Sequence, residues 1–443
     1  MTNIFGIITM LKQSKFNYTV KNDPGELLIY NTYIGAKSMC KISEISIQEQ
    51  FLKNEISESD SVAAELLSKG VLVDDSIDEN QKLLTLLSSI LSPSDLKLII
   101  SVTEKCNFLC KYCYESHNNI QISPSVKNSI MRYIRHNIHK YTALNITWFG
   151  GEPLLMLDDI YDMSKGFMDI CSFNRRMYTA SMTTNGYLLD VNTFKELLRH
   201  RVWAYQITID GLKSTHDKQR PTVDGTPTFD TIVKNLQDIK QLRNKNFHIV
   251  VRSNLTDEIF DHLDEYVELM SDICGDDNRF SLSLCYASEW SNEIDSDFKK
   301  TFIYDRKNVF PLYEKFLQCS KKINFAFLLN PDDGACELGR ANRFFIRPNG
   351  ELHKCSVRFE NKNNIVGAFS DNMILLNDNY YQKNINPQMC KNLYNCFYAP
   401  LCKGEGCPAI RDSKGSRCPE QKQHLDYIMR LLDKNNQFAG IGM

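Results

Sequence analysis

Residues 101–117 read Ser-Val-Thr-Glu-Lys-Cys-Asn-Phe-Leu-Cys-Lys-Tyr-Cys-Tyr-Glu-Ser-His, and the rest of the chain is organised around this stretch. Its three cysteines, Cys106, Cys110 and Cys113, have the spacing C-x3-C-x2-C. An apolar run precedes them, so we expect them on the loop that leaves a β-strand. A structural zinc ion or a fully ligated iron–sulfur cluster takes four protein ligands. Three thiolates on a four-iron cluster would leave one iron free to bind another molecule.

The composition of the 443-residue chain is that of a globular protein, with 42% hydrophobic and 24% charged residues. The net charge of -2 gives no electrostatic reason for a nucleic-acid or anionic-membrane partner. No apolar run is long enough to span a membrane, and the N-terminus lacks the basic region and cleavage site of a signal peptide. We therefore expect a cytoplasmic protein with no nucleic-acid partner and no membrane partner.

The 15 cysteines are many for such a chain, and their distribution favours metal or cluster binding over disulfides. Three lie in the opening stretch, and a second group lies between residues 336 and 418. The others are scattered in mostly apolar surroundings, where a cysteine usually packs as a small hydrophobic side chain.

Between residues 96 and 286, strand-like runs alternate with helical patterns, which predicts an α/β fold with a parallel sheet. Six such repeats would form a partial (β/α)6 barrel of the TIM type, in which chemistry lies at the C-terminal ends of the strands. Helices are predicted over residues 124–139, with Ser123 as N-cap, and over residues 193–200. The predicted strands cover residues 97–103, 144–149, 177–183, 202–209, 248–253 and 280–286.

Short polar motifs follow these strands in order. Residues 148–153 read Trp-Phe-Gly-Gly-Glu-Pro, and residues 183–186 read Thr-Thr-Asn-Gly. Residues 206–211 read Gln-Ile-Thr-Ile-Asp-Gly, residues 216–221 read His-Asp-Lys-Gln-Arg-Pro, and residues 252–254 read Arg-Ser-Asn. Paired glycines let a backbone approach a ligand closely, and a carboxylate can accept hydrogen bonds from an ammonium group.

The ordered set of motifs resembles the radical S-adenosylmethionine (SAM) superfamily. The resemblance implies that Cys106, Cys110 and Cys113 hold a [4Fe-4S] cluster whose free iron binds SAM. Tyr112 would pack against the adenine, and Glu152 would hold the methionine amino group. We also predict catalytic roles for Asp210 and Arg220. The cofactor-binding residues implied in this way are Tyr112, Gly150, Gly151, Glu152, Pro153, Asn185, Thr208 and Arg252.

The C-terminal cysteines resemble the SPASM domain, which carries two auxiliary [4Fe-4S] clusters, so three clusters are implied in all. Residues 347–350, Arg-Pro-Asn-Gly, predict a β-turn within a hairpin that Cys336 and Cys355 flank. Two spacings between residues 390 and 407 are longer than in the family. The inner cluster would lack one ligand, so either Cys319 supplies it or one iron stays open for a substrate thiolate. The resemblance implies that the ligands of the outer cluster are Cys390, Cys396, Cys402 and Cys418. It implies Cys336, Cys355 and Cys407 as the ligands of the inner cluster.

Short strands and small helices in residues 1–92 resemble the winged-helix-like recognition element of enzymes that modify ribosomally made peptides (RiPPs). That module binds a leader peptide by adding it as a strand to an exposed sheet edge. The alternative is a structural cap. The remaining domains would be the radical SAM barrel over residues 93–290, a connector over residues 291–335 and the SPASM domain over residues 336–443. The connector is predicted to contain a helix over residues 305–321.

The expected function is that of a radical SAM enzyme that forms a 5'-deoxyadenosyl radical to modify a precursor peptide. A thioether or carbon–carbon crosslink is the expected product, and flavodoxin or ferredoxin the expected electron donor. One alternative is a formylglycine-forming enzyme similar to anaerobic sulfatase maturases. Ser356 disfavours it, because those enzymes carry an Asp directly after the cysteine that matches Cys355. The other alternative is a zinc-binding interaction protein.

Overall fold

The chain divides into two compact units. The larger unit comprises Pro93–Phe327 and Arg340–Asn386, and the smaller unit comprises Met1–Ser92, Leu328–Gly339 and Pro387–Met443. No helix in the described part of the chain is both long enough and apolar enough to cross a membrane. The computed structural model describes residues 10–91, 94–287, 310–327, 329–331, 340–358, 361–370, 373–380, 390, 392–403 and 418–441.

The N-terminal part of the smaller unit combines short strands with three helices. β2, β3 and β4 pair antiparallel in one sheet, and β1 pairs with β5, which confirms the predicted mixture of elements. The strands are β1 (Leu11–Gln13), β2 (Asn17–Lys21), β3 (Leu27–Asn31), β4 (Cys40–Ile42) and β5 (Leu72–Asp74). The helices are α1 (Ile45–Leu52), α2 (Ala63–Ser68) and α3 (Glu79–Leu91).

Six parallel strands form the centre of the larger unit, and each pairs with the next in chain order. All six predicted strands are confirmed within a few residues. The C-terminal ends of these strands lie along one edge of the sheet, so the motifs that follow the strands share that edge. The strands are β6 (Leu96–Thr103), β7 (Ala143–Gly150), β8 (Met177–Thr184), β9 (Val202–Thr208), β10 (His248–Leu255) and β11 (Phe280–Tyr286).

Helices connect the parallel strands. Ser123 caps the first of them through its side-chain oxygen, as the sequence predicts. The predicted helix over residues 193–200 begins two residues earlier, because Asp190 caps it. In the connector, residues 305–309 lie outside the described residues. The helices are α4 (Pro124–Asn137), α5 (Leu157–Phe173), α6 (Val191–Arg199), α7 (Lys213–Gln219), α8 (Phe229–Lys240), α9 (Glu258–Asp261), α10 (Leu263–Cys274) and α11 (Phe310–Gln318).

The two faces of the parallel sheet differ in chemistry. Leu98, Trp148 and Ile207 belong to the apolar core of the larger unit, and all three are buried. Successive strand residues point to opposite faces, so the residues between them form a second, more polar face. A bound molecule would find hydroxyl, amide and charged groups there. The half-buried polar residues of this face include Asn145, Thr147, Thr179, Ser181, Gln206, Thr208, His248 and Arg252.

Four further strands extend the sheet beyond β6. The predicted hairpin is confirmed, and its first strand pairs in parallel with β6, which the sequence does not predict. Arg343 binds both carboxylate oxygens of Asp95, at 2.7 and 2.8 Å, where β6 begins. The strands are β12 (Arg343–Ile346), β13 (Glu351–His353), β14 (Ile365–Ser370) and β15 (Met373–Leu376).

The C-terminal residues complete the smaller unit. Their elements are α12 (Ala399–Cys402), α13 (Glu420–Gln423), α14 (Leu425–Lys434) and β16 (Ala439–Ile441). β16 pairs in parallel with β4, so the sheet order is β16-β4-β3-β2. The sheet edge at β4 is therefore occupied by a strand of the chain itself. Among the described strands, β2 pairs only with β3.

A second apolar cluster in the smaller unit joins its N-terminal and C-terminal parts. This Phe16 cluster consists of Phe16, Leu83, Leu87, Leu393 and Ala399, and Cys396 packs against it. Residues that the sequence assigned to a recognition element and to a cluster domain therefore share one core.

Candidate active site

The cysteines of the opening stretch lie on the loop that leaves β6, as the sequence predicts. The loop is closed at its base, where the Glu104 N–H donates to the Ile120 carbonyl at 2.9 Å. Cys106, Cys110 and Cys113 are free thiols, each half-buried. Burial, Glu115 and the neighbouring Cys110 together raise the pKa of Cys113 to about 12. Burial also raises the pKa of Cys106, to which both other thiols contribute.

This donor set fits an iron–sulfur cluster. In the residues that the structure describes, no three His, Cys, Asp or Glu side chains converge on a site for a single metal ion. A four-iron cluster instead distributes its thiolates over several irons. The Phe108 N–H donates to Cys106 Sγ at 3.4 Å. Burial raises the pKa of Cys110, and the Arg220 guanidinium opposes that shift. Both contacts favour the thiolate form that a cluster requires.

The paired glycines after β7 pack against the base of the cysteine loop. Gly150 has a φ of 130°, and a Cβ there would lie 2.1 Å from the Thr103 carbonyl oxygen. A Cβ on Gly151 would lie 2.7 Å from the Glu104 carbonyl oxygen. The sequence predicts a close approach to a ligand, whereas the close neighbour found here is the backbone of the chain. Glycine is required because any side chain would push the two loops apart.

Glu152 is fully buried behind these glycines. Its Oε1 accepts hydrogen bonds from the Leu154 N–H at 2.9 Å and from the Thr184 hydroxyl at 2.7 Å. Its Oε2 accepts from the Asn185 N–H at 2.8 Å. Burial raises the pKa of Glu152 to about 6, although these donors oppose the shift. With one described donor, Oε2 can accept a second hydrogen bond, for example from an ammonium group.

Asn185 connects the motif after β8 to the cysteine loop. Its side-chain amide donates to the side-chain oxygen of Asn107 at 2.8 Å. Its own side-chain oxygen accepts from the Tyr187 N–H at 3.0 Å. Pro153 begins a short 3-10 helix directly after Glu152. The motifs after β7 and β8 therefore brace the cysteine loop from two sides.

A buried polar cluster lies on the other side of the loop and is termed the Tyr112 cluster: Tyr112, Asp210, Arg220 and Asn254. The Tyr112 hydroxyl donates to Asp210 and accepts from Arg220 and from the Asn254 amide. The Asn254 N–H donates to Asp210 Oδ1 at 2.7 Å. Burial raises the pKa of Asp210, and Arg220, 3.7 Å away, opposes the shift. The structure thus brings together three residues that the sequence predicts for the site, Tyr112, Asp210 and Arg220. The carboxylate that Arg220 faces is that of Asp210, within the chain itself.

Thr208 and Arg252 are cross-strand neighbours on β9 and β10. Arg252 Nε donates to the side-chain oxygen of Asn254 at 3.0 Å, so this pair adjoins the Tyr112 cluster. Tyr114 lies close by. Burial raises the pKa of Tyr114, to which the Cys355 thiol contributes, while Arg252 opposes the shift. Cys355 is therefore near the loop that carries the first three cysteines.

The remaining predicted ligands are divided between the two units. Lys422 Nζ lies 3.3 Å from Cys396 Sγ and 3.7 Å from Cys418 Sγ, so one ammonium joins two predicted outer-cluster ligands. Cys319 packs against the apolar core of the larger unit. Cys355 lies in the larger unit, and the predicted outer set, Cys390, Cys396, Cys402 and Cys418, lies in the smaller one. Cys336 and Cys407 lie outside the described residues.

Sequence reasoning missed Asn107, His216, Asn254 and Arg347. His216 is buried, and its Nδ1 accepts from the backbone N–H of the aspartate in the Tyr112 cluster at 3.1 Å. Arg347 Nε donates to Glu104 Oε1 at 2.8 Å, which ties the hairpin turn to the start of the loop. The polar end of β10 was a usable signal for Asn254. The motif of residues 216–221 was a usable signal for His216, whereas Asn107 and Arg347 have partners distant in sequence.

Comparison with known proteins agrees with this geometry. The family model described as the Radical SAM superfamily matches residues 100–267, which include the three cysteines and the motifs after β7, β8, β9 and β10. The chain contains a radical SAM domain. Radical SAM enzymes use SAM together with a [4Fe-4S] cluster.

Among curated relatives of this chain is the serine-type anaerobic sulfatase-maturating enzyme of Bacteroides thetaiotaomicron. It is 23% identical over 369 residues, which cover 73% of this chain and 84% of that protein. The sporulation killing factor maturation protein SkfB of Bacillus subtilis is 24% identical over 208 residues, 45% of this chain and 46% of that protein.

Solved structures share the fold of this chain. Native anSMEcpe with bound AdoMet and the Kp18Cys peptide matches with a TM-score of 0.55 and 19% identity, over 77% of this chain and 97% of that one. Streptococcus suis SuiB bound to precursor peptide SuiA matches with a TM-score of 0.53 and 15% identity, over 91% and 97%. The SuiB match covers a larger share of this chain than the anSMEcpe match does, so the fold shared with SuiB extends over more of the chain.

Proposed function

We propose that the chain is a radical SAM peptide maturase that crosslinks a ribosomally made precursor peptide through a thioether or a carbon–carbon bond. The observation that carries the proposal is the loop of Cys106, Cys110 and Cys113, braced against the buried carboxylate of Glu152. The peptide substrate is supported by two relatives, since SkfB is named a maturation protein and SuiB was solved with a precursor peptide.

The three thiols would hold the [4Fe-4S] cluster, and the residues around them would bind SAM. When bound, the cluster and SAM supply a one-electron cleavage that yields a radical able to take hydrogen from carbon. Glu152 Oε2 would accept from the amino group of SAM, and the Tyr112 ring would contact the adenine. Thr208 and Arg252 would offer polar contacts from the neighbouring strands. Gly150, Gly151, Pro153 and Asn185 would hold Glu152 and the loop in place.

Asp210 and Arg220 would act at the same site. Arg220 is 6% exposed and Asp210 1% exposed, so water has little access to either group. Arg220 lies close enough to Cys110 to oppose the rise in its pKa, and it binds the Tyr112 hydroxyl. Both residues would therefore position the cluster loop and SAM, and they would be catalytic only if they also contact SAM or the peptide.

Two auxiliary clusters would serve the later steps of the reaction. Cys390, Cys396, Cys402 and Cys418 would hold the outer one, and Lys422 would donate hydrogen bonds to two of these thiolates. Cys336, Cys355 and Cys407 would hold the inner one. Either Cys319, whose half-buried side chain packs against the apolar core, supplies the fourth ligand of the inner cluster, or one iron of that cluster stays open. Such an iron could bind a substrate thiolate, and either cluster could take the electron left on the peptide.

Residues 1–92 would bind the leader of the precursor. Strand addition needs an unpaired sheet edge. β16 occupies the β4 edge, so the leader would either displace β16 or pair with β2. An external donor such as flavodoxin or ferredoxin would supply the electron.

Anaerobic reconstitution tests the proposed function. The full chain should bind about twelve irons, since three four-iron clusters are proposed. It should form 5'-deoxyadenosine from SAM with dithionite, and the Cys106→Ala/Cys110→Ala/Cys113→Ala variant should form none while it keeps about eight irons. A Cys319→Ala variant that keeps all of its iron would favour the open iron, and one that loses iron would make Cys319 a ligand. Zinc without iron in the purified chain would instead support a zinc-binding interaction protein.

A formylglycine-forming activity is the second candidate, because the alignment with the Bacteroides enzyme covers 84% of that protein. Ser356 occupies the place where the resemblance expects a carboxylate base. Incubation with a sulfatase-derived serine or cysteine peptide distinguishes the two. Formation of formylglycine at rates like those of the known maturases would replace the crosslinking proposal.

A further inference from the structure

One face of the cysteine loop is directed outward. Around the second ligand, buried and exposed residues alternate: Phe108 is buried and Cys110 half-buried, whereas Leu109 is 57% exposed and Lys111 is also exposed. Lys105, which precedes the first ligand, is exposed as well. Any residue exposed at positions 109 and 111 is one peptide unit from Cys110. A partner on this outer face would therefore lie close to that ligand.

A second segment stiffens this face. The Leu109 N–H donates to the Pro221 carbonyl at 2.9 Å, and the Val223 N–H donates to the Asn107 carbonyl at 3.0 Å. Val223 is 64% exposed, so an apolar pair of Leu109 and Val223 is held on a hydrogen-bonded ribbon. Because the backbone groups of the ribbon are already paired, a partner would meet a preformed surface.

The charge around the apolar pair is positive. Neither Lys105 nor Lys111 has an acidic partner within the described residues. Lys218 is also exposed, but it pairs with Glu258 at 3.3 Å. The acidic residue on the ribbon is Asp224, whose carboxylate accepts hydrogen bonds from the ribbon itself. Among the described residues, the face thus carries two cations without an acidic partner, in a chain whose net charge is -2.

We propose that this face, formed by Lys105, Leu109, Lys111 and Val223, is the docking surface for an acidic flavoprotein of the flavodoxin type. The proposal rests on the proposed radical SAM function, which needs an electron from outside the chain. The apolar pair fits the exposed dimethylbenzene edge of a flavin, and the lysines fit the carboxylates around it. In the transfer, the anionic flavin hydroquinone loses one electron and the cluster gains it, and no bond forms or breaks.

The test compares two charge-reversed variants that have the same net charge. Lys105→Glu/Lys111→Glu changes the docking face, and Lys165→Glu/Lys195→Glu changes exposed lysines on α5 and α6. Stopped-flow absorbance should show cluster reduction by reduced flavodoxin slowed about tenfold or more in the first variant at low salt. The second variant should match the wild type. High salt should shrink the difference, because surface charges are screened. 5'-Deoxyadenosine formation with dithionite should be the same in all three chains.

A Leu109→Gln variant should slow the flavodoxin reaction at every salt concentration, since its effect is not electrostatic. Equal flavodoxin rates in the two charge-reversed variants would overturn the proposal. Faster reduction by an acidic ferredoxin, with the same lysine dependence, would replace the flavin partner. Binding of oxidised flavodoxin, followed by calorimetry, does not need SAM cleavage. A chain that binds flavodoxin through these lysines but cleaves no SAM would therefore refute the proposed function and keep the docking face.

Discussion

A buried carboxylate destabilises a fold by several kcal/mol unless donors surround it. Glu152 has two backbone N–H groups and one hydroxyl, all directed at its oxygens. A glutamine at this position would direct its NH2 group at one of those donors. Glutamate is therefore needed for the local fold as well as for the proposed hydrogen bond to the amino group of SAM. Its motif could be recognised from sequence because both requirements select the same residue type.

Tyr112 combines two functions that one substitution can separate. Its ring is proposed to contact SAM, whereas its hydroxyl joins Asp210, Arg220 and Asn254. Tyr112→Phe should keep the affinity for SAM within about threefold but lower the free energy of unfolding by about 1–3 kcal/mol, because buried partners lose a hydrogen bond. Tyr112→Leu should lower both. Isothermal calorimetry and urea unfolding measure the two effects, and equal SAM affinities in the two variants would refute the ring contact.

The site could be predicted from sequence only where a residue carries its own local signal. Cys106, Glu152 and Asn185 lie in recognisable motifs, and the structure brings them together. Asn107 and Arg347 act through partners that are distant in the chain, at positions 185 and 104. Only the folded backbone defines such pairs, so spacing and residue type could not have identified them.

At the scale of elements, the β4 edge decides how a leader could bind. β16 covers this edge, and Ile441 is buried in the apolar core below it. A chain that ends at Phe438 would expose the edge. If the leader displaces β16, removal of this intramolecular competitor should raise the affinity for the leader of the precursor peptide by about tenfold or more. Fluorescence anisotropy with a labelled leader measures the change.

The control for this truncation is Ile441→Ala, which loses the buried side chain but keeps the strand. It should destabilise the smaller unit by about 2–4 kcal/mol and leave the leader affinity close to that of the full chain. Hydrogen exchange should quicken at β4 in the truncated chain. Unchanged leader affinity after truncation would place the leader elsewhere, with the β2 edge as the next candidate.

A charge network at the same sheet gives a pH prediction. Glu26 accepts hydrogen bonds from Lys41, Ser43 and Asn22, and these donors lower its pKa to about 2. A lowered folded pKa stabilises the fold above the ordinary value near 4.5, and this stabilisation is lost as pH falls through about 2. Glu26→Gln should therefore cost about 1 kcal/mol at pH 7, after allowance for solvent screening, and nothing near pH 2.

Urea unfolding of both chains between pH 2 and pH 7 measures this difference. The exposed Glu55→Gln substitution is the matched control and should leave the unfolding curve unchanged at each pH. A cost for Glu26→Gln that stays constant down to pH 2 would contradict the assigned ionisation.

At the scale of the whole molecule, the order of the parallel strands was predictable and the pairing of strands distant in sequence was not. Alternating apolar runs identify β6 to β11, because each run is local and parallel neighbours follow in chain order. The pairing of β12 with β6 joins residues more than two hundred positions apart, and so does the pairing of β16 with β4. Strand patterns do not specify such distant partners, so the sequence could not reveal them.

The Phe16 cluster leads to the last prediction. Removal of residues 1–91 deletes Phe16, Leu83 and Leu87, which pack on Leu393, Ala399 and Cys396. The truncated chain should therefore lose about four irons, those of the outer cluster, while the larger unit still cleaves SAM with dithionite. The full-length Phe16→Ala/Leu83→Ala variant should lose the same iron although it keeps the strands that are proposed to bind the leader. Unchanged iron content in both variants would show that the outer cysteines hold no cluster that depends on this core. If the truncated chain then fails to modify the peptide while the Phe16→Ala/Leu83→Ala variant still modifies it, the role of residues 1–91 is leader binding.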